Sequence, residues 1–465
     1  MTENRVIETR VNDSGTPLWV KRAVMTIGTV TALIGTPFAL NLLCIVPLIT
    51  FTSRGSTDTV VYGVVSLTFA LVTAGAGFAA YWHGSRAMKE VPSKPLRFPA
   101  HPMLLIGFFV FLLGLGSVLL AARIGATLLF PPVLLVAATL PPIWSVAWMI
   151  PHSYGLKRKD ETKEPSEAES AAPESATQPS LSWRRGLLAF AGGGTISVII
   201  AVILEILLPV IILSLVSNLA DTVRDSVNTI FRALSSRNVA DALTNRGFIY
   251  LFLQIAIIAP FVEEIAKPLV VLPLVRRLGK QETFWIGAMA GAGFAALENV
   301  IYAIGGFSFW AGILIVRALG GALHPLGSGL VALGWRDVLR GEKDAGKNWW
   351  KNFGIAATVH AVWNGGSLLV ITLGGARFFG ELPPEIDLLG LSAAGTTLAF
   401  LLILGLTALW IGRAYGYDRP ILPVAGAKTN ETQIIPSDRA VALWAVACLI
   451  AIVPAGIAGL KLWLR

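Results

Sequence analysis

The chain has 465 residues, 37 Lys+Arg against 28 Asp+Glu for a net charge of +9, and 54% hydrophobic but only 14% charged residues. Soluble domains carry about 25% charged residues, so an ordinary soluble globular protein is excluded, as are a disordered chain and a collagen-like repeat. The only two cysteines, Cys44 and Cys448, lie inside apolar runs, which excludes a disulfide scaffold.

Uncharged runs such as 23–50 and 60–81 are long enough to cross a hydrocarbon core of about 30 Å. The sequence predicts an all-α, polytopic transmembrane bundle of about 11 spans. They fall near 23–51, 60–82, 102–122, 126–151, 187–217, 248–275, 283–305, 308–334, 353–375, 389–412 and 440–463. With the N-terminus cytoplasmic and the C-terminus outside, 26 Lys/Arg fall on the inner side and 9 on the outer. The excess basic charge is then the positive-inside signal, with no nucleic-acid partner implied. A polar leader of 22 residues before a long apolar run argues against a cleavable signal peptide.

Four spans (1–151) come first. Pro131, Pro132, Pro141 and Pro142 predict kinks in the fourth. Residues 152–184, with Lys157-Arg158-Lys159 followed by EPSEAESAAPESATQPS, read as a flexible cytoplasmic linker, because such text buries no apolar area. Between the fifth and sixth spans, Val223, Val227, Ile230, Phe231 and Leu234 form one apolar stripe at helical spacing. That pattern predicts an amphipathic helix on the outer membrane surface. Glu205 stands alone in the fifth span and is assigned to packing or a hydrogen bond.

An ionisable group at bilayer depth costs about 2.5–3.5 kcal/mol even on the lenient insertion scale, so each needs a reason. The sixth span carries Glu263, Glu264 and Lys267 between Pro260 and Pro268, with Lys267 within reach of either carboxylate at i+4 and i+3. Two carboxylates beside one cation separate into an ionised and a proton-holding member, the arrangement acid/base chemistry uses. An ion pair that merely fixes helix packing is the simpler alternative. The seventh span aligns Phe294, Glu298 and Tyr302 on one face, with Asn299 beside Glu298. The eighth holds Arg317 and His324 seven residues apart, with Gly327-Ser328-Gly329 beyond, where the backbone is free to unwind. The ninth holds His360 and Asn364 at i, i+4.

Counted at about 1.5 Å per residue from each span's cytoplasmic end, these groups lie at ~18 Å (Glu263), ~22 Å (Glu298), ~15 Å (His324), ~12 Å (His360) and ~18 Å (Asn364). Four successive helices thus put polar faces in one slab, as a water-filled site requires. No His is followed by Glu in an HExxH pattern, Ser328 lacks the first glycine of a GxSG turn, and there is no GxGD. A carboxylate base, a cation, histidines and an amide remain, a set suited to attack of activated water on a carbonyl.

Glu263-Glu264-x-x-Lys267, Phe294-x-x-x-Glu298-Asn299, His324 and His360-x-x-x-Asn364, in this order over roughly 185–375, resemble the PrsW family of intramembrane proteases. These are relatives of the CAAX-processing and bacteriocin-processing (CPBP) glutamyl proteases. The resemblance implies a protease in a bacterial plasma membrane that cleaves a membrane-anchored protein, for the founding members an anti-sigma factor. It implies Glu263 as general base, Glu264 as proton relay and Lys267 as the group that tunes the pair. His360 and Asn364 would be oxyanion donors. Glu298 stands where the CAAX-processing relatives have a histidine, to orient water or accept from His324, and Arg317 is a supporting cation. No cofactor is required by this scheme, although His324, His360, Glu263 and Glu298 also suit a divalent metal or a proton-coupled transporter. A non-catalytic membrane scaffold or receptor is the third alternative. Residues 1–151 and 376–465 lie outside the resemblance.

Overall fold

The computed structural model describes residues 18–52, 57–94, 96, 98, 103–122, 126–150, 181–215, 252–305, 307–378 and 384–416. The expected amphipathic helix, the linker's interior and the eleventh expected span lie outside the described residues. The helices are α1 (Leu18–Thr52), α2 (Thr57–Met88), α3 (Met103–Ala122), α4 (Ala126–Met149), α5 (Trp183–Gly192) and α6 (Val198–Leu215). They continue with α7 (Ala259–Ala266), α8 (Leu272–Val275), α9 (Lys280–Gly305), α10 (Trp310–Leu319), α11 (Leu323–Arg340), α12 (Ala345–Phe378) and α13 (Pro384–Gly416).

Seven helical stretches among the described residues are long and apolar enough to cross a membrane, or eight when α10 and α11, bent by 44°, count as one. The expected sixth and ninth spans, 248–275 and 353–375, fall on 252–275 and Ala345–Phe378, which are helical as well without adding to that number. The chain is a multi-pass helical membrane protein.

Lipid tails are as apolar as leucine, so helices in a membrane associate through close packing and polar contacts. α9 is built for this, with GAMAGAG in its middle, and 89% of its apolar window is buried against 22% for α3. It is the central helix. A Cβ at Gly293 would run into the carbonyl of Phe190, and one at Gly291 into that of His324, so only glycine lets α5 and α11 approach so closely. Between α5 and α6 the chain makes a π-turn, Gly193–Ser197, packed against α9.

α5 starts at Ser182, whose hydroxyl accepts from the Arg185 N–H at 3.2 Å. α11 stops at Gly341, which adopts φ +65° and lets Glu342 N–H bond back to the Asp337 carbonyl. The break between α10 and α11 falls at residues 320–322, earlier than the unwinding expected around Gly327-Ser328-Gly329, which stay helical. A Cβ at Gly320 would overlap the buried Trp363 indole, which packs against the break.

α4 remains helical through its four prolines. Its Phe130 and Leu134 pack with Val300 of α9 and with Trp310 and Leu314 of α10, while Val146 and Met149 join Trp285 of α9 and Leu409 of α13. Trp285 Nε1 and Gln281 Nε2 both donate to the last carbonyl of α13, Gly416. The fourth and tenth expected spans therefore pack directly on the helices that carry the polar cluster.

Candidate active site

Among the described residues, the segment that supplies the paired glutamates departs repeatedly from a regular α-helix. A π-turn (Gln254–Ile258) leads into the two turns of α7, and a 3-10 stretch (Lys267–Val271) follows. Pro260, Pro268 and Pro273 each lack an N–H for the carbonyl four residues back, which loosens the helix ladder on both sides of the glutamates. Carbonyls left over by the irregularity are taken by side chains. Asn364 Nδ2 donates to Ile255 O at 3.1 Å, and Ser197 Oγ to Lys267 O at 3.1 Å.

Lys267 is fully buried and touches both carboxylates. Its Nζ lies 2.6 Å from Glu264 Oε1 and 3.1 Å from Glu263 Oε2, the latter a charge contact without hydrogen-bond direction. The ammonium also stands over the Phe294 ring at 4.7 Å, and that ring stacks on His324 with centroids 6.1 Å apart. Glu264 Oε1 meets His360 Nδ1 at 2.9 Å. A second relay has the same form. Arg317 Nη2 donates to Glu298 Oε2 at 2.6 Å, and Glu298 Oε2 lies 3.3 Å from His324 Nε2. Each histidine is thus backed by a carboxylate, and each carboxylate by a cation.

This backing decides which ring atoms face inward. Glu264 Oε1 at 2.9 Å holds the proton on His360 Nδ1, whereas His324 Nε2 stands 3.3 Å from both the Arg317 Nη2 donor and Glu298 Oε2. His360 Nε2 is then a bare lone pair, and it, His324 Nδ1 and Glu263 Oε2 are all buried without a hydrogen-bond partner. The two imidazoles stand edge to face at 4.7 Å, and His360 Nε2 is 3.8 Å from Glu263 Oε2. Ligand atoms of Glu263, His324 and His360 all lie within 4.8 Å of one another. Two nitrogens and one carboxylate oxygen are a donor set of catalytic zinc centres. A carboxylate behind each histidine is the usual outer support of such a ligand. These residues fit a divalent metal.

All ten residues singled out from the sequence are in this neighbourhood, but they do not all face the same space. Glu263, Glu264, Lys267, Phe294, Glu298, Arg317, His324 and His360 are mutually connected through the contacts above. Asn299 faces away, donating from Nδ2 to the Ala138 carbonyl of α4 at 2.9 Å while its Oδ1 accepts from Arg317 Nε at 2.8 Å. Asn364 is engaged with Ile255. Arg317, a supporting cation in the sequence reading, is a hub holding Glu298 and Asn299 and stacking on Tyr302 at 4.8 Å. Glu205 is half-buried, and its backbone carbonyl accepts from Gln254 Nε2 at 3.4 Å.

Sequence reasoning set Ser328 aside as a nucleophile and gave it no other place in the site. It lies one turn after His324, fully buried, with its hydroxyl unpartnered and 2.7 Å from where a Gly291 Cβ would sit. Its i+4 spacing from His324 was the available signal.

No curated protein and no solved structure matches the chain. Residues 182–383, which contain every side chain of the cluster except its α4 contact, match the family model described as PrsW family intramembrane metalloprotease, and that match supports an intramembrane protease function for this segment.

Proposed function

We propose that residues 185–375 form an intramembrane peptide hydrolase that cuts a membrane-anchored protein with water held among Glu263, His324 and His360. One observation carries the reading: ligand atoms of Glu263, His324 and His360, from three separate helices, converge within 4.8 Å, and each of these side chains keeps a buried polar atom without a hydrogen-bond partner. A water oxygen at that point is within reach of a proton acceptor, and few other uses justify three desolvated, unpartnered polar atoms in a membrane.

In the reaction, the water oxygen bonds to the scissile carbonyl carbon as Glu263 Oε2 takes its proton. The C–N bond then breaks as that proton passes to the leaving amine. Lys267, in charge contact at 3.1 Å, favours the ionised, proton-accepting form of Glu263 between turnovers. His360 Nε2, 3.8 Å from Glu263 Oε2, accepts the water's other O–H and orients it. This differs from the oxyanion role the resemblance suggests for His360, because its Nε2 carries no proton while Glu264 holds Nδ1–H. Asn364 pins the His360 helix to the π-turn.

A second reading is favoured by the donor set itself. Glu263, His324 and His360 would hold a divalent ion, which would acidify bound water and polarise the substrate carbonyl. Proton transfer would then fall to Glu264 Oε2 or Glu298 Oε1, the other buried carboxylate oxygens without a hydrogen-bond partner. The substrate class that the resemblance nominates is an anti-sigma factor in a bacterial plasma membrane.

The test is cleavage of a membrane-anchored reporter by the full chain, together with membrane proteomics of wild type against Glu263→Gln. A fragment that disappears in the variant supports the hydrolase. Cleavage that survives Glu263→Gln, Glu264→Gln and Glu298→Gln combined overturns it. Metal uptake into vesicles without any cleavage replaces it with a transporter.

A further inference from the structure

Pro142 has no N–H to give to the Ala138 carbonyl four residues back in α4. An unpaired carbonyl inside a membrane protein costs several kcal/mol, on the order of the penalty for burying any unsatisfied amide. That carbonyl is taken by Asn299 Nδ2 at 2.9 Å, from the middle of α9. The same amide's Oδ1 receives Arg317 Nε at 2.8 Å, Arg317 Nη2 holds Glu298 Oε2 at 2.6 Å, and that oxygen faces His324 Nε2 at 3.3 Å. The chain of contacts runs without a gap from α4 to the ring of His324, one of the three side chains around the proposed water.

We infer that α4 is a working part of the site: the carbonyl freed by Pro142 positions Asn299, which sets Arg317 and Glu298 and so the ring of His324. This rests on the hydrolase reading and gives residues 1–151 a function outside the matched segment. Asn299 is a positioning residue. An amide suits the post because it donates on one side and accepts on the other. A carboxylate there still accepts from Arg317 but cannot donate to α4, and alanine does neither.

The experiment uses the purified full-length chain in proteoliposomes, with a membrane-anchored reporter and, separately, zinc titration. Asn299→Asp and Asn299→Ala are each expected to lower kcat at least about tenfold with KM within about twofold, and to weaken zinc binding about 10-fold to 100-fold, as lost outer-shell support does. Pairing Asn299→Ala with Pro142→Ala returns a helix N–H to the Ala138 carbonyl. That double variant is expected to regain the thermal midpoint without regaining kcat, and it keeps the test open where the single variant fails to fold. Wild-type kcat in Asn299→Asp overturns the inference, and so does recovery of kcat along with stability in the double variant. Failure of the hydrolase reading is recognised separately, by a wild-type chain that does not cleave, and the zinc titration then still reads whether Asn299 sets His324.

Discussion

Glu264 and His360, 96 positions apart along the chain, share a 2.9 Å hydrogen bond in a region where neither side chain is more than 3% exposed. The bond orients the imidazole so that Nε2 looks toward Glu263. Replacing Glu264 by Gln keeps the shape but presents a neutral amide to Lys267 and His360. Glu264→Gln is expected to lower activity about 10-fold to 100-fold, the range for lost carboxylate support of a ligating histidine. Glu263→Gln is expected to remove activity altogether. Reporter cleavage at matched expression separates the two, and equal losses would count against distinct roles.

Metal dependence has its own signature. Where Glu263, His324 and His360 hold an ion, the purified chain contains about one equivalent of metal. Chelation then abolishes cleavage, zinc restores it, and His324→Ala or His360→Ala lowers the metal content in proportion. Full activity in a chelator-treated, metal-free preparation would leave Glu263 as the sole proton acceptor.

Lys267 is buried among two carboxylates, an imidazole nitrogen and an aromatic face. Lys267→Met leaves both acids uncompensated, a loss of about 3–5 kcal/mol for a broken buried pair. The expected result is a large drop in thermal midpoint in detergent, partly reversed by adding Glu264→Gln, which removes one of the orphaned charges. A Lys267→Met variant as stable as wild type would mean that the two acids are already neutral.

Gly327 backs the Glu264 carboxylate, and a Cβ there would sit 2.5 Å from Oε2. Gly354, on the neighbouring helix, has open space around its Cα. Gly327→Ala is therefore expected to reduce cleavage by displacing Glu264, whereas Gly354→Ala leaves it near wild type. Assaying both side by side tests whether the position of that carboxylate matters to the reaction.

Much of the site was legible because expensive residues in apolar text draw attention to themselves. Counting depth along each helix brought Glu263, Glu298, His324 and His360 to one level, and the four do meet. The same count brought Asn364 to that level, yet its amide serves the π-turn at Ile255. Depth is an axial coordinate and carries no information about which way a side chain points once the helix is irregular. The seven-residue spacing of Arg317 and His324 assumed one continuous helix. They sit instead on two helices bent by 44°, and still approach to 3.3 Å because the bend folds one toward the other.

The sequence by itself determined that this chain crosses a membrane many times and that a small set of ionisable residues sits at bilayer depth, since hydropathy and the cost of burying charge are properties of local text. Tertiary structure decided which atoms those residues turn toward one another. Glu264 and Glu298 each stand behind a histidine, Lys267 serves two acids at once, and Asn299 reaches out to α4. Those pairings join residues far apart in the chain, and only the close approach of glycine-rich α9 to α5 and α11 brings them within hydrogen-bonding distance.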